Sequence, residues 1–233
     1  MSRRWYSSKT HGVDPMTRPL PALLAVALSL STLAGCHSTP VAFPAGKGLV
    51  SFDRDAPNGA TTYARPTWKV GDRFVYVKGG LSRLAFRVES TVEGVHRLVD
   101  EQGTMVLRIG EDLSDRGQEK PGDASATLTY DPADFELSWP LWQGKRWSCS
   151  FTSRSPARGD LPLLVSYTCD TTEEVTVPAG TFRCLRVWRR ARLAVEGNWI
   201  DRVSVAWYAP DAGVFVKRLA DSIVTELVEI QRQ

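Results

Sequence analysis

The sequence predicts an all-β fold, a strongly curved antiparallel sheet that forms a half-barrel or a barrel-like structure. From residue 68 onward, short apolar segments alternate with polar residues at a period of two, as in strands with one buried face. Turn residues separate these segments, and none shows a capped helical period, so no substantial helix is expected. About ten to twelve strands result, more than an open twisted sheet usually carries without curling.

The first half of the domain contains the clearest alternation. Residues 84–88 and 105–109 each place three larger apolar side chains on one face of a strand. Residues 72–78 form another strand, which ends at a pair of glycines. Residues 111–123 are charged and contain a Pro-Gly pair, so we expect a long exposed loop there.

The second half continues the strand pattern. The segment Val-Pro-Ala-Gly-Thr-Phe at 177–182 predicts a hairpin, because Pro178 pre-sets φ for a turn and Gly180 can adopt the left-handed conformation. Further strands are expected at residues 126–130, 135–141, 145–151, 163–170, 183–195, 199–208, 214–219 and 223–230.

The N-terminal region has the features of an export signal. Apolar residues 22–30 are too few to span a bilayer, which takes about 20 residues, but they are typical of a signal peptide. The tetrad Leu33-Ala34-Gly35-Cys36 resembles the lipobox of bacterial lipoproteins. That resemblance implies lipidation of Cys36 after removal of residues 1–35 as a lipoprotein signal peptide. Met16 offers an alternative start.

The residues after the tetrad predict a location and a domain boundary. By resemblance to enteric lipoprotein sorting, an Asp after the lipidated cysteine would indicate inner-membrane retention, and His37 stands there instead. We therefore expect a cell-envelope protein, lipid-anchored in the outer membrane and facing the periplasm. Residues 36–66 are rich in Pro, Gly, Ala, Ser and Thr, which predicts a lipidated N-terminus and flexible tether. The antiparallel β domain then covers residues 67–233.

The charge balance excludes one class of partner. The chain has 29 basic and 26 acidic residues, but residues 1–35 hold four of the basic ones and one acidic one, which leaves 25 of each. A neutral mature chain gives no electrostatic reason to expect nucleic acid. The expected partners are the membrane, through the lipid on Cys36, and an envelope protein, a lipid or a glycan.

Several short motifs resemble those of a group of uncharacterised bacterial envelope proteins. In that group a V-G-D-x-W start, a P-L-x-x-G-K-x-W segment, a V-P-A-G-T-F hairpin and a W-Y-A-P-x-x-G turn follow in this order, and Phe74 here replaces the usual Trp of the first motif. The matching segments here are residues 70–74, 139–141, 143–147, 177–182 and 207–213. The resemblance implies a curved antiparallel domain of unknown function, and it carries over no catalytic residue.

The cysteines predict one disulfide. Besides the lipidated residue, three cysteines remain, and the oxidising envelope permits a bridge between two of them. If the strands on either side of Gly159 pair antiparallel about that residue, Cys149 lies opposite Cys169. We therefore predict a Cys149–Cys169 disulfide, with Cys184 as the competing or spare thiol.

The chain offers little catalytic chemistry. His96 is the only histidine of the β domain, and no G-x-S-x-G or comparable nucleophile motif accompanies it. The cysteine spacing fits no zinc site, and adjacent acidic residues on a strand point to opposite faces. We expect no catalytic residue, no metal and no cofactor.

Two groups of side chains allow two interpretations each. Trp139, Trp142, Trp147 and Trp188 could line a concave ligand face, although packing in the core is favoured. Five arginines within residues 183–192 could meet phosphate groups, although a solvated strand face balanced by acidic neighbours is favoured.

These observations predict an envelope lipoprotein whose β domain binds or scaffolds another envelope component without catalysis. The first alternative is a carrier or binding module for a lipid or a glycan on the concave, Trp-rich face. The second alternative, and the least favoured, is a hydrolase that uses His96.

Overall fold

A computed structural model describes residues 48–195 and 198–233 of the chain. The predicted signal peptide, Cys36 and the first part of the predicted tether lie outside these residues. The described residues form thirteen strands and one 3-10 turn. They are β1 (Gly48–Ser51), β2 (Arg73–Lys78), β3 (Ser82–Val92), β4 (Val95–Asp100), β5 (Val106–Gly110), β6 (Asp115–Glu119), the 3-10 turn Ala124–Ala126, β7 (Leu128–Asp134), β8 (Arg146–Ser155), β9 (Gly159–Val177), β10 (Gly180–Val195), β11 (Asn198–Ala209), β12 (Val214–Ala220) and β13 (Ile223–Gln231).

The strands from β2 to β13 close into an antiparallel barrel. Each strand pairs with the next along the chain, and β13 pairs with β2 to complete the ring. This closed sheet confirms the predicted all-β fold class, and the described ranges contain no α-helix. Within those ranges, no helix is long and apolar enough to cross a membrane.

The sequence alternation decides which side chains point into the barrel. On β3, Leu84, Phe86 and Val88 face the interior, whereas Arg83 and Arg87 are exposed on the outside. Each fully buried side chain of this kind stabilises the fold by about 1.5–3 kcal/mol relative to its exposed state. The strands therefore close with their apolar faces inward.

Large aromatic side chains fill much of the interior. Trp147, which is fully buried, stacks on Tyr167 with ring centroids 5.2 Å apart. Trp68 packs against Phe74 in a neighbouring cluster, at a centroid distance of 4.8 Å. The two clusters share Trp68 as a flanking side chain, so they form one continuous core.

One end of the barrel is covered by connecting segments, and we call it the closed end. The Nε1 of Trp68 donates to the carbonyl oxygen of Gly213 at 2.9 Å. The Nε1 of Trp139 donates to the carbonyl oxygen of Asp112 at 2.7 Å. The opposite end, which we call the open end, is formed by hairpin turns such as those between β2 and β3 and between β12 and β13.

The β domain begins earlier than the boundary predicted at residue 67. β1 pairs with the first half of β8, and Arg146 binds Asp53 through an ion pair of 3.0 Å. Tyr63 then forms a bridge with Leu141. The part of the predicted tether from residue 48 onward is therefore packed against the barrel.

Two expectations along the chain are wrong. Residues 111–123, expected to form an exposed loop, contain β6, which pairs with both β5 and β7. Residues 135–141, expected to form a strand, instead run irregularly across the closed end. The hairpin predicted at 177–182 is confirmed, with Val177 opposite Gly180 and Gly180 at a φ of 134°.

The predicted Cys149–Cys169 disulfide is also wrong. β8 and β9 turn between Ser155 and Gly159, so Cys149 lies opposite Val165 rather than Cys169. All three cysteines of the described residues are free and buried. Burial raises the pKa of the Cys169 thiol to about 12, so this thiol is protonated at neutral pH.

We predict that alkylation in denaturant without a reductant labels all three of these thiols. Peptide mass mapping should find Cys149, Cys169 and Cys184 modified to the same extent as in a sample that was reduced first. In the native protein they should react slowly, because their side chains are buried. A disulfide-linked peptide containing Cys149 and Cys169 would contradict the observed register.

Candidate ligand cavity and its buried charges

An apolar cavity of about 280 Å³ lies inside the barrel. Its wall is mainly aliphatic and aromatic and includes Phe74, Tyr76, Leu84, Phe86, Leu98 and Leu107. Protein interiors are usually packed closely enough to leave few voids larger than a water molecule. A space of this size lined by apolar side chains is therefore a candidate binding site.

The cavity runs between the two ends of the barrel. Trp68 and Leu113 line it at the closed end. Tyr76, Leu84 and Thr225 are partly exposed and lie within four residues of the turns at the open end. The cavity therefore opens between the β2–β3 and β12–β13 hairpins.

A partly buried ion pair lies in the cavity wall. The guanidinium of Arg218 on β12 donates to both oxygens of Glu136, at 2.7 and 2.6 Å. Arg218 also lies over the ring of Phe215, 4.0 Å from its centroid. Burial alone would raise the pKa of Glu136, but the Arg218 guanidinium holds it below its ordinary value. This bidentate pair neutralises both groups.

A second ion pair lies behind the first. Asp134 at the end of β7 accepts a hydrogen bond from Arg189 on β10 at 2.8 Å and another from the Tyr167 hydroxyl. The thiol of Cys149 also contacts Asp134, at 3.4 Å. Asp134 is almost completely buried, so its charge depends on these donors for compensation.

Asp115 is the third acidic group of this cluster, and no basic side chain of the described residues forms an ion pair with it. Its Oδ1 accepts a hydrogen bond from the backbone N–H of Gly117 at 2.8 Å. Burial, together with the nearby charge of Glu136, raises the pKa of Asp115 to about 7. Asp115 and Glu136 both project from the closed end of the barrel into the cavity.

The charges at the cavity and directly behind it do not cancel when all of them are ionised. Asp115, Asp134 and Glu136 supply three carboxyl groups, whereas Arg189 and Arg218 supply two guanidinium groups. Protonation of Asp115 restores neutrality without a further cation. The raised pKa of Asp115 agrees with this charge balance.

The four tryptophans predicted as a possible ligand face do not share a surface. Trp142 and Trp147 are buried, Trp139 is partly buried, and Trp188 is 40% exposed on the outside of β10. The tryptophan that lines the cavity is Trp68, which sequence reasoning did not single out. Core packing therefore accounts for Trp142 and Trp147, and the four predicted side chains do not form a common concave face.

The basic run on β10 divides between the two faces of the sheet. Arg186 lies outside and pairs with Asp170 at 2.8 Å, and Arg192 pairs with Asp201. Arg189 points inward, in phase with its buried neighbours Val187 and Ala191. The solvated-face interpretation is right for Arg186 and Arg192, and wrong for Arg189.

His96 is buried, and its side chain contacts Thr91 and Trp68. Its Nδ1 lies 2.8 Å from the Thr91 hydroxyl, and its ring lies against Trp68. Burial lowers the pKa of His96. The carboxylate that shares its surface depression, Glu111, pairs with Arg65 at 3.8 Å. Across the described residues, no cluster of three acidic, His or Cys side chains could hold a metal ion.

Two of the sequence motifs contribute hydrogen bonds at the closed end. Lys145 of the G-K-R-W segment is buried and donates to the carbonyl oxygens of Ser138 and Pro140, at 2.9 and 2.6 Å. Burial lowers the pKa of Lys145 to about 8. Asp72 of the V-G-D segment accepts hydrogen bonds from the backbone N–H groups of Lys69 and Gln233, both at 2.8 Å. These residues have structural roles.

Comparison with known proteins gives solved structures of similar shape and no family. No family model matches the chain, and no curated protein sequence matches it. The hypothetical lipoprotein YmcC from Escherichia coli K12 aligns over 78% of this chain and 92% of its own, with 10% identity and a TM-score of 0.49. A protein assigned as exported, with a YmcC-like fold, from Bacteroides fragilis aligns over 74% of this chain and 100% of its own, with 16% identity and a TM-score of 0.41. A protein assigned as a lipoprotein from Parabacteroides distasonis aligns over 73% and 99%, with 13% identity and a TM-score of 0.42. At these values the likeness carries no functional residue and no activity to this chain.

The pairing of Arg189 with Asp134 predicts a large effect on stability. Arg189→Met should lower the free energy of unfolding by about 3–5 kcal/mol, because it leaves a buried carboxyl group without its partner. Arg190→Met, at the exposed neighbouring position, should change it by less than about 0.5 kcal/mol. Urea unfolding measures both, and equal midpoints for the two variants would contradict the role of Arg189.

The raised pKa of Asp115 predicts a pH dependence of stability. Between about pH 4 and the folded pKa of about 7, the folded protein holds a proton that the unfolded chain has lost. The contribution of Asp115 to stability therefore falls as pH rises through this window, by up to about 1.4 kcal/mol per pH unit. Asp115→Asn should remove this contribution, so the variant should gain stability relative to the parent as pH rises.

The control for this measurement is Asp160→Asn, which alters an exposed carboxylate on β9. Urea unfolding at several pH values should give this variant the slope of the parent protein. A parallel profile for Asp115→Asn and the parent would show that Asp115 does not titrate in this window.

Proposed function

We propose that this protein is a non-enzymatic envelope lipoprotein whose barrel binds a small, largely apolar ligand in its interior. The observation that carries the proposal is the cavity of about 280 Å³, with an apolar wall and with Asp115, Glu136 and Arg218 at one side. Ligand sites typically combine such a wall with a few polar groups that orient the ligand, in volumes of roughly 300–1,000 Å³.

The composition of the wall favours a lipid-like ligand over a glycan. Sugars present many hydroxyl groups, which need hydrogen-bond partners once they are removed from water. The cavity offers such partners at few positions, whereas Phe74, Leu98 and Leu107 supply apolar contact. An aliphatic chain or another compact apolar group matches that surface.

The proposed location rests on the N-terminal sequence. Two or more acyl chains on Cys36 would hold the protein at a membrane, since one chain alone binds only marginally. His37 in place of Asp favours the outer membrane with the barrel in the periplasm. The membrane is then the first partner of the protein, and the neutral mature chain favours no nucleic acid.

The contacts of His96 support a non-catalytic role. Its Nδ1 is engaged by Thr91, and its ring packs on Trp68. Serine hydrolases need a histidine that contacts both a nucleophile and an orienting carboxylate. Glu111 is held by Arg65 instead, so hydrolysis through His96 is not favoured.

Scaffolding of an envelope protein is the second candidate, and one surface favours it. Trp188, Val203 and Leu219 lie on the outer faces of neighbouring strands and are 40%, 50% and 37% exposed. Exposed apolar patches commonly mark sites of protein contact. Crosslinking to a single envelope protein through this patch would favour scaffolding.

Native mass spectrometry of the full-length protein, extracted from membranes with mild detergent, tests the proposal. We expect a bound molecule of constant mass in two different detergents, and an acylated Cys36 in the denatured protein. Thr225→Trp should abolish the bound mass, because the new ring would occupy the cavity. Val224→Trp should retain it, since Val224 is paired with Leu219 on the outer face.

Two results would contradict the proposal. An empty barrel in both detergents would remove the binding function, and an unmodified Cys36 would remove the anchor. Loss of the bound mass from both tryptophan variants would show that the ligand does not occupy the interior.

A further inference from the structure

We propose that the cavity selects ligands with a cationic, hydrogen-bond-donating head, such as a primary ammonium group, over ligands with a carboxylate or phosphate head. This inference rests on the proposed function and names the chemical class of its ligand. It is carried by the arrangement of Asp115, Glu136 and Arg218 around the cavity.

The first argument concerns the positive group. A lone arginine in an apolar cavity would favour an anionic head, because its guanidinium can bind a carboxylate or phosphate through two hydrogen bonds. Arg218 already makes both of these bonds to Glu136, at 2.7 and 2.6 Å. An incoming anion would have to displace Glu136, which would then be buried without a partner.

The second argument concerns the acceptor that remains. Among the described residues that line the cavity, the charged ones are Asp115, Glu136 and Arg218. Asp115 is bound through Oδ1 by the backbone N–H of Gly117. Within residues 48–195 and 198–233, no basic side chain forms an ion pair with it, and Arg218 acts on it only at longer range. A carboxyl group in this position attracts a donor, and a cationic donor most strongly.

The third argument is the charge sum. With all groups ionised, the three lining residues carry a net charge of −1, and the pair of Asp134 with Arg189 behind them adds nothing. An ammonium group would bring the interior to neutrality, whereas a carboxylate would bring it to −2. In an apolar interior such differences are large, because charges are screened far less than in water.

The depth of the two acidic groups also defines the pose, whereas Arg218 starts nearer the open end, opposite Thr225, and extends inward to Glu136. Asp115 begins β6, and Glu136 follows β7, so both lie towards the closed end. Leu84 and Thr225 lie towards the open end. The ligand therefore enters head first, and its apolar body occupies the space between these groups and the opening.

Three probes of equal chain length test the inference: n-octylamine, n-octanol and octanoate, each below its critical micelle concentration. The binding is measured by isothermal titration calorimetry of the detergent-exchanged, full-length protein at about pH 8. Octylamine should bind at least about tenfold more tightly than octanoate. Octanol should fall between them, because its hydroxyl donates a hydrogen bond without a charge.

Asp115→Asn is the decisive variant, because it keeps the shape of the side chain and removes its charge. In this variant, the affinities for octylamine and octanoate should differ by no more than about threefold. Asp160→Asn, on the exposed surface, should keep the preference of the parent. An unchanged preference in Asp115→Asn would overturn the inference.

A pH series on the parent protein gives a second test that needs no variant. The groups that face Asp115 are Glu136, Asp134 and Arg218, with Tyr130 nearby on β7. As Asp115 loses its proton between about pH 5 and about pH 8, octylamine should bind more tightly and octanoate more weakly. Affinities that do not change with pH, or tighter binding of octanoate, would overturn the inference while the binding function stands. If none of the three probes binds, both the inference and the proposed binding function are wrong.

Discussion

The pairing of β13 with β2 is the contact on which the rest of the barrel depends. Every other pair of neighbouring barrel strands is also consecutive in the chain, whereas these two are the first and last strands of the ring. Their pairing turns a sheet into an enclosure. A ring of about eight strands is just filled by its own side chains, and a larger ring encloses more space than ordinary apolar side chains occupy. This barrel therefore fills its interior with aromatic rings and buried charges, and part of the space remains as the cavity.

The buried charges connect walls of the barrel that the sheet does not connect directly. Arg189 on β10 reaches Asp134 on β7, and Arg218 on β12 reaches Glu136 beyond the same strand. Replacement of buried pairs by apolar residues often leaves stability unchanged, so such pairs are weak evidence for stability as such. Their geometric effect is clearer, because each pair links two walls of the barrel across the interior.

The sequence predicted the fold class wherever one face of a strand is apolar and the other is polar, as at residues 84–88 and in the hairpin at 177–182. It failed at β6, where Asp115 and Arg116 resemble the residues of a solvated loop. A strand that lines a charged interior loses the contrast between apolar and polar faces on which the period-two signal depends.

The predicted disulfide was wrong for another reason. The centre of the β8–β9 hairpin was placed too far along the chain, and each residue of error in a centre shifts the partner by two.

The candidate site was harder to predict than the fold. Arg189 could have been found from its phase with Val187 and Ala191, since all three alternate on one face of β10. Asp115 could not, because its importance comes from its position next to the Glu136–Arg218 pair, and only the closed barrel brings β12 and the segment after β7 close to it.

The two ends of the barrel also differ in how freely they can change. The closed end contains residues 135–141, which run across it, and the hydrogen bonds of Asp72 and Lys145. The first barrel strand, β2, begins there, and the last, β13, ends there. The open end consists of hairpin turns, which tolerate changes of length and sequence better than the strands they join. Relatives with the same wall could therefore diversify at the opening alone, and evolution could alter what the barrel admits while the enclosure itself is preserved.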